Sequence, residues 1–266
     1  MVTFIAATEI PKMPNFLTFL ERYLDNSPWG QFIYNWESII FSMIIGCIVA
    51  FVFYLGSSNR EMIPSGIQNF FEWVVETFEL FIFGILGKEG KEFVPFLGTL
   101  FIYILSMNLF GLVPFMASPS SNFNVGIALA ICVFGMVQYL NIKNMGFKGF
   151  LHHLAGSPSN TIGWIMAPLM LPIELLTQIS RPITLALRLF GNILGEKILV
   201  AFFAIMGVTM FYYLPIQLPF MILGLLTNFM QAMVFTLLST IYILLSVPHS
   251  VLHSEEIHIN NKQKGD

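Results

Sequence analysis

The sequence predicts an all-α integral membrane protein with five transmembrane helices and one further amphipathic helix. Three observations predict it. Hydrophobic residues make up 56% of the 266 and charged residues only 10%, where ordinary soluble domains carry about 25% charge. The apolar residues gather in runs of 18 residues or more, long enough to cross ~30 Å of hydrocarbon. Polar breaks separate most of these runs, at 56–64, 117–122 and 141–163. The expected organisation is a tail over 1–35, one membrane domain over 36–247 and a polar tail over 248–266.

Composition also excludes. Net charge is −3 and no basic block stands out, so nucleic acid is not an expected partner. Cys47 and Cys132 both lie in apolar runs, which does not suit a disulfide or metal framework. Residues 1–11 lack a basic region followed by a long apolar core, so no cleavable signal peptide is expected.

In chain order, the first span is 36–55, with Glu37 as its one charge and Trp36 and Tyr54 at its ends. Aromatic side chains favour the membrane interface, which suits those positions. Residues 67–86 differ. Glu72, Glu76 and Glu79 share one helical face among Phe, Trp, Val and Ile. Such a helix lies in the membrane surface or packs as a water-facing helix on the bundle. The second span is 93–116, which carries Asn108, and the third is 123–140. A loop with Lys143, Lys148, His152 and His153 is expected over 141–163.

Residues 165–206 hold no clean polar break. At ~1.5 Å per residue this is about twice the hydrocarbon thickness. Pro168, Pro172 and Pro182 bend a helix rather than reverse it, so one long, bent, tilted helix is expected. The last span is 220–247. Lys and Arg placement gives the orientation. With the N-terminus outside, Arg60, Lys88, Lys91, Lys143, Lys148, Lys262 and Lys264 are cytoplasmic, and only Lys12 and Arg22 lie outside.

The long helix carries the residues that need explaining: Glu174, Arg181, Arg188, Asn192, Glu196 and Lys197. An arginine within hydrocarbon costs at least ~3 kcal/mol. One turn either side of Arg188 stand Thr184, Leu185, Gly191 and Asn192, none acidic. Glu196 is eight residues away and Glu174 fourteen. A carboxylate partner must then come from another helix or another protein, unless the side chain snorkels to an interface. Gly191 and Gly195 leave the adjoining face smooth for a close helix. Glu174 is a candidate proton site, or a hydrogen-bond partner of Gln178 or Thr177. Arg181 and Lys197 fit a helix end or a polar cavity. On the last helix, Asn228 and Gln231 share a face continued by Thr236, Ser239 and Tyr242. Amides there can hold water, orient a guanidinium or simply bond between helices. The five histidines all lie outside the spans, which disfavours haem ligation in the membrane.

The stretch Arg181-Pro-Ile-Thr-Leu-Ala-Leu-Arg188-Leu-Phe-Gly-Asn192 resembles the a subunits of F-type ATP synthases. The similarity extends to Pro64–Trp73, Met107–Pro114, Pro172–Leu176 and Gln231–Tyr242. The resemblance implies that Arg188 faces the carboxylate of each passing c subunit, displaces its proton and blocks leakage between two offset half-channels. It implies polar partners at Asn192 and Gln231, a half-channel acid at Glu174 and a channel-side amide at Asn108. It further implies that the last two helices form a tilted hairpin against the c-ring. The partners implied are the c-ring, the peripheral-stalk b subunits and the lipid bilayer, with one copy per complex. No cofactor is implied, and the chain would catalyse no bond chemistry alone. The implied location is a bacterial plasma membrane. Two departures stand out. Lys197 occupies a position where the family often has an acid, with Glu196 one residue earlier. Gly224 stands where some members pair that position with His or Glu, and it leaves steric room for Lys197. A secondary transporter and a scaffold subunit of a respiratory complex are the alternatives. The transporter calls for internal repeats, and the sequence has no self-similar halves.

Overall fold

In the computed structural model, the described residues are 28–58, 66–113, 116, 118–154, 161–210 and 217–246. Six α-helices are formed among them: α1 Pro28–Ser58, α2 Ile67–Leu86, α3 Val94–Phe110, α4 Phe123–Leu154, α5 Thr161–Met210 and α6 Gln217–Ser246. Four contain stretches long and apolar enough to cross a membrane, at Trp36–Gly56, Phe123–Gly146, Pro168–Gly207 and Gln217–Ser246. The fifth apolar helix, α3, is shorter at 17 residues. The all-α membrane architecture expected from composition is the one observed. The tails before 28 and after 246 lie outside the described residues, as does most of the 56–64 break.

Helix α1 begins at Pro28, eight residues ahead of the expected span. Phe41 and Ile45 are buried, while Met43, Phe51 and Tyr54 face outward. Ser42 hydrogen-bonds the Tyr103 hydroxyl and so pins α1 to α3.

Helix α2 uses one face. Phe78, Ile82 and Leu86 are buried against the bundle, and Phe78 stacks on Phe101 with centroids 5.2 Å apart. Such a pair adds about 0.5–1.5 kcal/mol beyond its buried area. Glu72 and Glu76 are exposed, and so are Phe70, Trp73 and Leu80. The helix stops at Gly87, whose φ of 68° favours glycine. A 3₁₀ segment, Gly87–Glu92, leads into α3. Helix α3 ends at Phe110, short of the expected Met116. A short 3₁₀ turn at Pro119–Ser121 then connects it to α4.

The loop expected over 141–163 is corrected in its first half. Helix α4 runs on to Leu154, broken only at Gly146 (φ 68°, ψ 164°). Polar residues suggested a loop there, but Asn141–Leu154 contains no proline, and the chain stays helical on both sides of one glycine. Residues 155–160 lie outside the described residues.

Helix α5 is a single element of 50 residues with Pro168, Pro172 and Pro182 inside it. Each proline removes one backbone hydrogen bond and bends the helix without reversing it. Helix α6 buries Gly224, Asn228, Gln231, Phe235, Ser239 and Ile243, a stripe at spacings of three and four. The most extensive packing joins α4 to α5, α3 to α6 and α5 to α6. At the α4–α5 crossing a Cβ on Gly126 would lie 3.3 Å from the Ala186 carbonyl oxygen. Close backbone approach of this kind drives helix association in lipid, where apolar contact alone gives no preference over acyl chains. Leu97, Ile104, Met107, Leu185, Leu189 and Phe235 fill the centre.

Candidate functional site

Helix α5 divides its residues cleanly. Leu185, Ala186, Leu189 and Ile193 point inward and are buried. Thr184, Leu187, Arg188, Gly191, Asn192 and Gly195 are exposed on the outer face. Among the described residues, no carboxylate pairs with the Arg188 guanidinium. A Cβ added at Gly191 or Gly195 would meet nothing within 4 Å. The cation therefore stands on a smooth, open strip. Asn192, one turn further on, donates through Nδ2 to Gln231 Oε1 on α6. The Gln231 Nε2 is buried with no hydrogen-bond partner among the described residues. A buried donor left unpaired is costly, about 1–3 kcal/mol, and invites a polar visitor.

Beyond Asn192 a polar cluster forms between α3, α5, α6 and the α3–α4 turn. Asn228 Nδ2 donates to Glu196 Oε1 at 3.3 Å. Asn108 Nδ2 reaches the Asn228 carbonyl at 3.5 Å, and Ser120 Oγ donates to Asn108 Oδ1 at 2.8 Å. Ser118 donates to the Met107 carbonyl at 3.1 Å and closes the turn. Lys197 Nζ donates to Ser121 Oγ at 2.8 Å. The room at Gly224 is not taken by Lys197. It is Glu196 that lies against Gly224, where an added Cβ would overlap Glu196 Oε1. Consecutive helical residues diverge by about 100°, so Glu196 turns to α6 and Lys197 to the turn.

A second polar cluster lies the other way along α5. Gln178 Nε2 donates to Glu174 Oε1 at 3.5 Å, and Gln138 Nε2 on α4 donates to Gln178 Oε1 at 2.9 Å. Arg181 rests over the Tyr242 ring at 5.2 Å, a cation–π contact worth about 0.5–2 kcal/mol. Gln138, Asn141, Gln178, Arg181 and Tyr242 line a small, partly open cavity of about 20 Å³ between α4, α5 and α6. The buried Gln138 Oε1 has no hydrogen-bond partner among the described residues. Ser239 is fully buried on α6, and its hydroxyl donates to the Phe235 carbonyl at 2.8 Å.

Sequence reasoning named Glu174, Arg181, Asn192, Glu196, Lys197, Asn228, Gln231 and Asn108. The structure brings them together in two groups rather than one, with Arg188 between. At ~1.5 Å per residue, Glu174 lies about 21 Å and Glu196 about 12 Å from Arg188 along the axis. Gln138, Ser120 and Ser121 were missed. Their signal was weak: one glutamine in an apolar run, and serines in an ordinary turn.

The family model of the ATP synthase A chain matches residues 39–244, from within α1 to within α6. ATP synthase subunit a of Protochlamydia amoebophila is 56% identical over 244 residues, covering 90% of this chain and 90% of that protein. The subunit a of Solidesulfovibrio magneticus is 38% identical over 219 residues, covering 82% and 84%. That of Trichlorobacter lovleyi is 37% identical over 235 residues, covering 86% and 94%. Both polar clusters and Arg188 fall inside the matched stretch. The chain therefore belongs to the ATP synthase A-chain family, the a subunits of F-type ATP synthases.

Proposed function

We propose that the chain is the ion-conducting stator subunit of a rotary ATP synthase, passing protons to and from a rotor ring through two half-channels that meet at Arg188. The observation that carries this reading is Arg188 itself, outward on an open strip, with a separate polar cluster toward each end of its helix. In this reading the c-ring packs on the Arg188 face. A guanidinium about 4 Å from a rotor carboxylate favours its ionised form by about 4 kcal/mol at an effective dielectric of 20. The carboxylate then gives up its proton as it arrives. A fixed cation at the junction also repels protons that would cross directly, so transfer must pass through ring rotation. Each proton moved down 100 mV releases ~2.3 kcal/mol for that rotation.

The cluster of Asn108, Ser120, Glu196 and Asn228 forms one half-channel, and Gln231 with Asn192 stands at its inner end. The cluster of Glu174, Gln178, Gln138 and the cavity beneath Arg181 forms the other. Unpaired amide atoms on Gln231 and Gln138 suit ordered water. The N-terminus lies outside and the C-terminus in the cytoplasm, so the first half-channel opens outward. Helix α2 lies in the membrane surface with Trp73 and Phe70 in the acyl boundary. One copy serves each complex in a bacterial plasma membrane, beside the b subunits of the peripheral stalk.

The test is Arg188→Ala in the assembled complex. ATP-driven acidification of membrane vesicles is expected to fall to background. Retention of full pumping would remove the assignment.

A further inference from the structure

Residues on α1 take no part in the half-channels described so far, yet two hydrogen bonds bring α1 to one of them. Asn122 Nδ2 donates to Ser38 Oγ at 3.1 Å. Its neighbour Ser121 accepts from Lys197 Nζ at 2.8 Å. The turn thus holds the start of the α1 apolar stretch beside the last third of α5. Glu37, next to Ser38, is half-buried, and so is Lys197. Lys197 is therefore flanked by two acids, one on α1 and one on its own helix.

We propose that Glu37 and Lys197 are a paired positioning element at the outer mouth of the Glu196 half-channel. In that role Glu37 compensates the Lys197 charge, and the ammonium holds Ser121 and the α3–α4 turn. Glu196 stays free to keep its bonds to Asn228 and its seat at Gly224. Without Glu37 the ammonium turns toward Glu196 and holds its carboxylate as a fixed ion pair, which slows proton uptake there. Without Lys197 two acids face one another across the mouth. Removing both partners of a half-buried pair perturbs less than removing one.

This rests on the half-channel reading, and a double-mutant cycle tests it separately. Glu37→Gln, Lys197→Met and the double variant are compared for ATP-driven proton pumping in vesicles, per assembled complex. Each single change is expected to slow pumping several-fold, and the double to return to within about twofold of the parent. Lys197→Arg keeps the charge and is expected to stay near the parent rate. A double variant as slow as the worse single, or unaffected singles, would overturn the pair. If Lys197→Met prevents assembly, restored assembly in the double supports the pair and equal loss overturns it. Arg188→Ala, run beside them, reports on the parent reading alone, since its loss of pumping does not depend on Glu37.

Discussion

Arg188 keeps its charge at the surface of its own chain because every inward position beside it is filled. Leu185, Leu189 and Ile193 take the interior, and the guanidinium is left on the glycine strip. The sequence made this residue visible, since a cation in an apolar run is costly to keep. It also exposed Asn192 and Gln231, whose mutual hydrogen bond joins α5 to α6. It could not reveal which of two adjacent charges turns toward Gly224. That depends on the rotational setting of α5 against α6, a property of packing and not of spacing. The consequence is testable at one residue. A methyl group at Gly224 would collide with Glu196 Oε1, the far end of a flexible side chain. Gly224→Ala should leave assembly intact, because the carboxylate can swing away. It should still lower proton pumping several-fold, because the swing breaks the Asn228 contact. Unchanged pumping, even with leucine at 224, would separate Glu196 from the conduction route.

At the scale of elements, apolar length predicted the helices well and polar composition predicted their ends poorly. Helix α5 was readable as one bent element because three prolines interrupt it without a turn sequence. Helix α4 was cut short at Leu140 because Asn141, Lys143 and Asn144 resemble a loop. In the structure Asn144 Nδ2 instead reaches the Ser246 carbonyl at 3.4 Å, so part of that polar surface serves a helix contact. The α4–α5 crossing depends on a small residue that periodicity does not single out. Gly126 faces the Ala186 backbone, which cannot yield as a side chain can. Gly126→Leu should destabilise the bundle by about 1–3 kcal/mol, the usual range for overpacking. A lowered melting temperature of the detergent-solubilised complex would register it. Gly135 on the same helix has open space beside it, so Gly135→Leu should leave melting unchanged. Equal effects at both positions would contradict the close approach.

For the whole molecule, composition alone fixed the membrane class, because 10% charge cannot cover a soluble surface. What composition left open was which outer surface meets lipid and which meets protein. Outward positions on α6 such as Ile222, Leu226 and Met230 are as apolar and exposed as those of α1. The α5 strip carries a cation with open glycines beside it within an apolar span, and that marks the proposed rotor face. Burial provides an internal control, since Leu185 and Asn192 are both near Arg188 in sequence but Leu185 is buried between helices and Asn192 is exposed. The most direct measurement is therefore disulfide formation in the assembled complex between a cysteine near the rotor carboxylate and a cysteine at 192 or 185. The account predicts a cross-link from Asn192→Cys that halts ATP-driven rotation, and none from Leu185→Cys. No cross-link from 192, or an equal yield from the buried position 185, would contradict the claim that Arg188 faces the ring.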